Sequence, residues 1–171
     1  MAVIEVTMQE IQKLVQEGTN GNMDSLNKAE ALINQILNRQ PDNWVALFYY
    51  ANIKLFRGLS GIAITVLKKC FDMESSLAEI PNNIGTAYRR EHFHEEAEEW
   101  FLKSLEINPN DADIYNNLST LHINEGSPQE AINYLQKALE IQPHNKHAHW
   151  NAVLAYLELE NWEQGFKDYV W

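Results

Sequence analysis

Three asparagines, Asn83, Asn117 and Asn151, stand 34 residues apart. A carboxamide carries N–H donors and a carbonyl acceptor, the complement of a peptide backbone whatever its side chains. Three such groups at equivalent places of a repeating structure form a ladder able to hold an extended chain. The plainer reading is a polar residue tolerated on a solvated helix. Tyr49 occupies the same place one period earlier, so the N-terminal end of the column differs. Arg89 and Arg90 stand out in a chain of net charge −11. They either meet a ligand carboxylate or neutralise nearby glutamates such as Glu95.

Other chemistry is thinly represented. Of six histidines, His92 and His94 flank Phe93, and His144, His147 and His149 cluster. Neither set has the i, i+4 spacing that puts two metal ligands on one helix face, so they read as loop histidines and no metal is expected. Cys70 falls where the repeat wants a small buried residue, which makes it structural rather than nucleophilic. No phosphate loop, triad order or paired-carboxylate motif is present. The reading is therefore of a non-enzyme with no catalytic residues and no cofactor.

Composition narrows the partners. The acidic balance argues against nucleic acid, because phosphate binding needs a basic stripe. Glu91, Glu95, Glu96, Glu98 and Glu99 crowd one stretch, either a solvated face or a docking site for a basic partner. No apolar run approaches the roughly 20 residues of a membrane helix, and Met1-Ala2-Val3-Ile4-Glu5-Val6 lacks the pattern of a secretory signal. A single cysteine fits a reducing compartment, and the expected location is cytoplasmic.

The elements that position these residues follow from the same period. Pro41, Pro109 and Pro143 mark it, with Ser75 at the missing place. Laid out this way, the chain is one domain, 1–171, with a degenerate unit at 1–43, full units at 44–77, 78–111 and 112–145, and a truncated one at 146–171. Ala29, Ala63, Ala97 and Ala131 align, then Gly165. Ile33, Leu67, Phe101 and Leu135 align four places on. Small residues let helix backbones approach, and the larger ones continue the buried stripe. Each unit predicts two helices of roughly 13 residues in an antiparallel pair. Gly58 and Gly126 share a turn place where a left-handed residue ends the first helix, and His92 replaces glycine there. Asn43, Asp111 and Asn145 are predicted to cap the helices that follow them. Ser127-Pro128-Gln129-Glu130 predicts a capping box, and Pro81 a helix start near Ala78 or Ile80. In the first unit, Gly18-Thr19-Asn20-Gly21-Asn22 predicts a longer loop after a helix at about residues 4–17.

With small, large and proline places recurring together over about residues 24–171, the chain resembles the tetratricopeptide repeat family. The resemblance implies an all-α, right-handed superhelical solenoid of about five helix pairs. Its concave groove would be lined by the first helix of each unit. Protein or peptide binding is the implied function. The groove residues would be Asn83, Asn117 and Asn151, with Asn82, Asn116, Phe48, Asn52, Arg89, Thr120 and Trp150, and also Phe56, Arg90 and Leu154. The basic residues of the family's carboxylate clamp are missing from the matching helices, so that specialisation is not expected. The end of the chain, Asn161 to Trp171, resembles the last repeat before a glycosyltransferase-like domain. The alternative function is thus the non-catalytic arm of a larger transferase, similar to the repeat arms of O-linked N-acetylglucosamine transferases. A third reading of the apolar end, Phe166, Tyr169 and Trp171, is a homodimer contact through the last helix.

Overall fold

The computed structural model describes residues 2–169, with side chains from Met8 onward except those of Phe166, Asp168 and Tyr169. The described residues are helical between short turns, and they divide into two compact bodies, the first ending at Glu91 and the second beginning at His92.

The first body holds α1 (Ala2–Thr19), α2 (Met23–Arg39), α3 (Trp44–Phe56), α4 (Ser60–Met73) and α5 (Glu79–Arg90). Its helices pack in sequence, and α1 and α5 each also reach α3. Ile11, Leu26, Ala29, Ile33, Ala46 and Ile53 form a core with no exposed surface. The second body holds α6 (His94–Ile107), α7 (Ala112–Asn124), α8 (Pro128–Ile141), α9 (Lys146–Glu158) and α10 (Trp162–Tyr169). Its core is dominated by Ala112, Ala131, Ala138, Ala148, Ala152 and Ala155, with Ile132 and Leu135. Alanines at these places set the helix axes close together, and the larger side chains interlock around them.

The repeat register accounts for the buried set. Ala29, Ala63, Ala97 and Ala131 are fully buried, as are Ile33, Leu67 and Phe101 four residues on. Cys70 is buried and donates weakly to the Trp44 carbonyl at 3.6 Å. Burial pushes its thiol up to about 11, which keeps it from acting as a thiolate.

Helix ends follow local chemistry. The carboxamide of Asn43 accepts from the Ala46 N–H at 3.1 Å. Asp111 accepts from Asp113 and Ile114, and Asn145 accepts from His147 and Ala148 at 3.1 Å each. Such caps stabilise a helix start by about 1 kcal/mol apiece. Ser127 departs from the predicted capping box: it makes no side-chain cap hydrogen bond, and Pro128 opens α8 with no N–H of its own. Helix α5 begins at Glu79 with Pro81 inside its first turn.

The turn place common to the units is left-handed throughout. Gly58 and Gly126 have φ of 75° and 70°, and the non-glycine occupants His92 and Glu160 follow them at 62° and 55°. The first repeat corrects the expected long loop. Helix α1 runs through Gly18 to Thr19, and only residues 20–22 separate it from α2. The reason is contact: a Cβ on Gly18 would lie 2.8 Å from the Leu26 Cβ and 3.1 Å from its Cα. Glycine is there to let α2 fold back on α1, not to end the helix.

Candidate functional site

The predicted ligand-binding residues fall on the odd-numbered helices, α3 and α5 in the first body, α7 and α9 in the second. Each is the opening helix of its repeat, and asparagine or aspartate caps hold the starts of α3, α7 and α9.

In the first body the Asn83 carboxamide on α5 donates to the Asn52 carboxamide on α3 at 2.9 Å. In the second, Asn151 on α9 donates to Asn116 at 2.9 Å and to the Thr120 hydroxyl at 3.1 Å, both on α7. Asn83 to Asn52 and Asn151 to Thr120 each span 31 residues, so one polar bridge between successive opening helices occurs in both bodies. The bridge engages both N–H donors of Asn151, whose carbonyl is chemically an acceptor. The Asn116 main-chain carbonyl also accepts from Ser119 and Thr120. Asn82 and Asn117 are half-buried. Asn83 and Asn151 are thus each tied to the preceding opening helix of their own body. The second polar place of the bridge, held by Asn52 and Thr120, recurs in the sequence at two periods of 34 residues.

The aromatic candidates separate. Phe48 is 9% exposed and meets Tyr49 edge-on at 5.9 Å, so the core takes most of its surface. Burial, with the Glu79 charge, raises the Tyr49 phenol above its ordinary value. Trp150 on α9 is 55% exposed, with Leu154 one turn later also exposed and Asn151 beside it. Phe56, the last residue of α3, is exposed too.

The arginines also part company. Arg90 donates to the Leu55 carbonyl in the last turn of α3. Arg89 keeps a buried Nε with no hydrogen-bond partner. Burial, reinforced by the Arg90 charge, pushes its guanidinium below its usual value.

Among the described residues, no group of three or more His, Cys, Asp and Glu is arranged to hold a metal ion. No helix there is long and apolar enough to cross a membrane. His94, His147 and His149, expected in loops, lie instead in α6 and α9; the His94 Nδ1 lies 3.2 Å from Glu125, and the His149 Nε2 lies 3.0 Å from the Pro143 carbonyl. At the end of the chain, Trp162 is exposed at the start of α10. The side chains of Phe166 and Tyr169, and Trp171 entirely, lie outside the described residues, and with them the transferase-arm and dimer readings.

Comparison with known proteins agrees with the repeat register. Residues 76–144 match the family model described as tetratricopeptide repeat. By sequence, no curated protein matches the chain. Among solved structures, PilF of Pseudomonas aeruginosa is 17% identical with a TM-score of 0.84, the match covering 99% of this chain and 76% of that one. MamA is 22% identical with a TM-score of 0.78, covering 97% and 87%. YrrB, described as a tetratricopeptide-repeat protein with an unusual peptide-binding site, is 20% identical with a TM-score of 0.67, covering 85% and 75%. At these identities the likeness establishes the fold: stacked antiparallel helix pairs of the tetratricopeptide type.

Proposed function

We propose that this chain of tetratricopeptide repeats is a protein-binding scaffold whose opening helices grip an extended segment of a partner. The observation that carries this reading is on α9. There, Trp150 (55% exposed) and Leu154 flank Asn151, whose carboxamide is fixed by two bonds to α7. An apolar anchor beside an oriented backbone acceptor is the combination that peptide recognition uses: the indole supplies contact area and the amide fixes the chain. The bridge matters because it is made before the partner arrives, so little side-chain entropy is lost on binding. In the first body the Asn83–Asn52 pair repeats the amide device. The peptide-binding site named for YrrB supports the reading. So does the exposure of a large aromatic that packing inside this chain does not use.

The test is Trp150→Ala against peptides selected on the intact chain. Truncation of a central aromatic anchor costs about 2 kcal/mol or more, roughly a thirtyfold loss of affinity. Since Trp150 is exposed, the Tm is expected to stay within about 2 °C of the parent. Undiminished affinity in a folded Trp150→Ala protein refutes the proposal.

A further inference from the structure

The hydroxyl of Thr120 sits at the centre of a closed circuit between α7 and α9. It donates to the Asn116 main-chain carbonyl, one turn earlier on its own helix, at 2.9 Å. It accepts from the Asn151 Nδ2 at 3.1 Å, and the same nitrogen donates to the Asn116 Oδ1 at 2.9 Å. All three side chains are half-buried. A hydroxyl has one proton, so Thr120 can only accept from Asn151 once that proton is given to the backbone. Threonine on a helix readily makes this bond to the carbonyl four residues back.

The circuit fixes which end of the Asn151 amide faces outward. Turned over, its carbonyl would meet two acceptors. Asn116 could turn with it, but Thr120 could follow only by withdrawing its proton from the main chain of α7. The hydroxyl therefore decides the direction of the pair. Both N–H bonds of Asn151 are spent on α7, and among the described residues nothing donates to its Oδ1. The buried unpaired side-chain atoms among those residues are the Arg89 Nε and the His122 Nε2, so the Asn151 oxygen is not sealed from solvent. Trp150 and Leu154 stand open beside it. In the first body the device is incomplete: Asn83 has Asn52 at the Thr120 place, but Phe48 at the Asn116 place offers no acceptor.

Building on the peptide-binding reading of α9, we propose that Thr120 is a positioning residue that makes this site select a backbone N–H. With the Asn151 carbonyl presented outward, the partner residue lying against it must donate. Every residue but proline can do so, since proline has no N–H. A proline there, or a partner carbonyl, would leave the Asn151 oxygen unpaired, which is how a polar site discriminates against the wrong ligand. Without the Thr120 hydroxyl the amide is free to turn, and it would meet a donor or an acceptor alike. The partner is thus an extended segment with an apolar side chain for the Trp150 indole and, close to it, a non-proline residue at the amide.

The experiment takes the tightest binder from a random linear peptide library panned on the intact chain. Each backbone amide of that peptide is replaced in turn by an ester, which exchanges N–H for oxygen. On the parent protein one position is expected to lose about tenfold in affinity, the loss of one hydrogen bond with its acceptor left unpaired. Thr120→Val keeps the branched shape without the hydroxyl, and on it the penalty at that position is expected to fall to about threefold or less. Thr120→Ser is expected to restore the penalty. If Thr120→Val does not fold, Asn116→Ala, which removes the other acceptor, is read in the same way. A flat ester scan, or a penalty unchanged in the folded variant, overturns the role of Thr120, while binding that still depends on Trp150 leaves the scaffold reading standing. A library that yields no binder dependent on Trp150 removes the scaffold reading and the role of Thr120 with it.

Discussion

Glu30 on α2 holds the first two repeats together, and replacing it with glutamine tests how. Its carboxylate accepts from Lys54 at 2.5 Å and from Arg57 at 2.6 Å, both contributed by α3 and the turn after it. The side chains are 16%, 13% and 26% exposed respectively, so water only partly screens them. Burial raises the Glu30 pKa, but hydrogen bonding and charge from Lys54, then Arg57, outweigh it and leave the group below its ordinary 4.5. Lys54 is raised in turn, first by its bond to Glu30, and it also lies 4.6 Å from the centroid of the Tyr50 ring. Glutamine keeps the shape and one acceptor. It loses the charge and the second acceptor, and it leaves Arg57 only its bond to Asn27 at 2.7 Å. One charge-assisted bond is lost outright and another is weakened. At about 1.5–3 kcal/mol for such bonds, reduced by partial solvation of Arg57, Glu30→Gln is expected to cost about 2 kcal/mol. For a chain of this length that lowers the Tm by about 4–8 °C.

The pH dependence sharpens the test. The folded-state pKa of Glu30 is depressed, so its contribution is fully present above pH 4.5. It is lost as pH falls through the lower folded-state value. Urea melts of parent and variant at pH 7 and at successively lower pH are therefore expected to converge below pH 4.5. A difference under about 0.5 kcal/mol at pH 7, the level of an exposed pair, or one that persists unchanged in acid, refutes the reasoning.

Other expectations follow from the backbone and the packing. Glu160→Gly relieves a left-handed residue at φ 55° on the exposed turn before α10. Set against the added freedom of the unfolded chain, it is expected to raise stability by about 0.5–1 kcal/mol, read from urea melts. Gly18→Ala drives a methyl to within 3 Å of the Leu26 side chain and close to its Cα, and is expected to cost about 1–3 kcal/mol. Hydrogen exchange in α1 and α2 is expected to quicken first in that variant. If Gly18→Ala melts like the parent, the close approach of these helices is wrong.

What could be read from the chain was what depends on neighbours in sequence. Asn43, Asp111 and Asn145 cap the next helix because a cap reaches only two or three residues ahead. Ala63, Ala97 and Ala131 are buried because the period returns each to the same contact. His92 takes a left-handed turn because its place in the period is that of Gly58 and Gly126. The same register assigned the asparagines to the opening helices of their repeats. Gly18 was misjudged because its use is a close approach to Leu26, and sequence does not show how near a second helix comes. Phe48 and Trp150 looked alike as aromatic candidates, yet one meets Tyr49 and is covered while the other stays open. The Asn83–Asn52 and Asn151–Thr120 bridges, the Glu30 triad and the His122–Glu98 contact all join side chains from different helices. They exist only once those helices pack and each side chain takes one rotamer. The periodic spacing of one chain determines the helix pair and its core; the polar contacts that give each repeat its own chemistry are decided by the distances between helices.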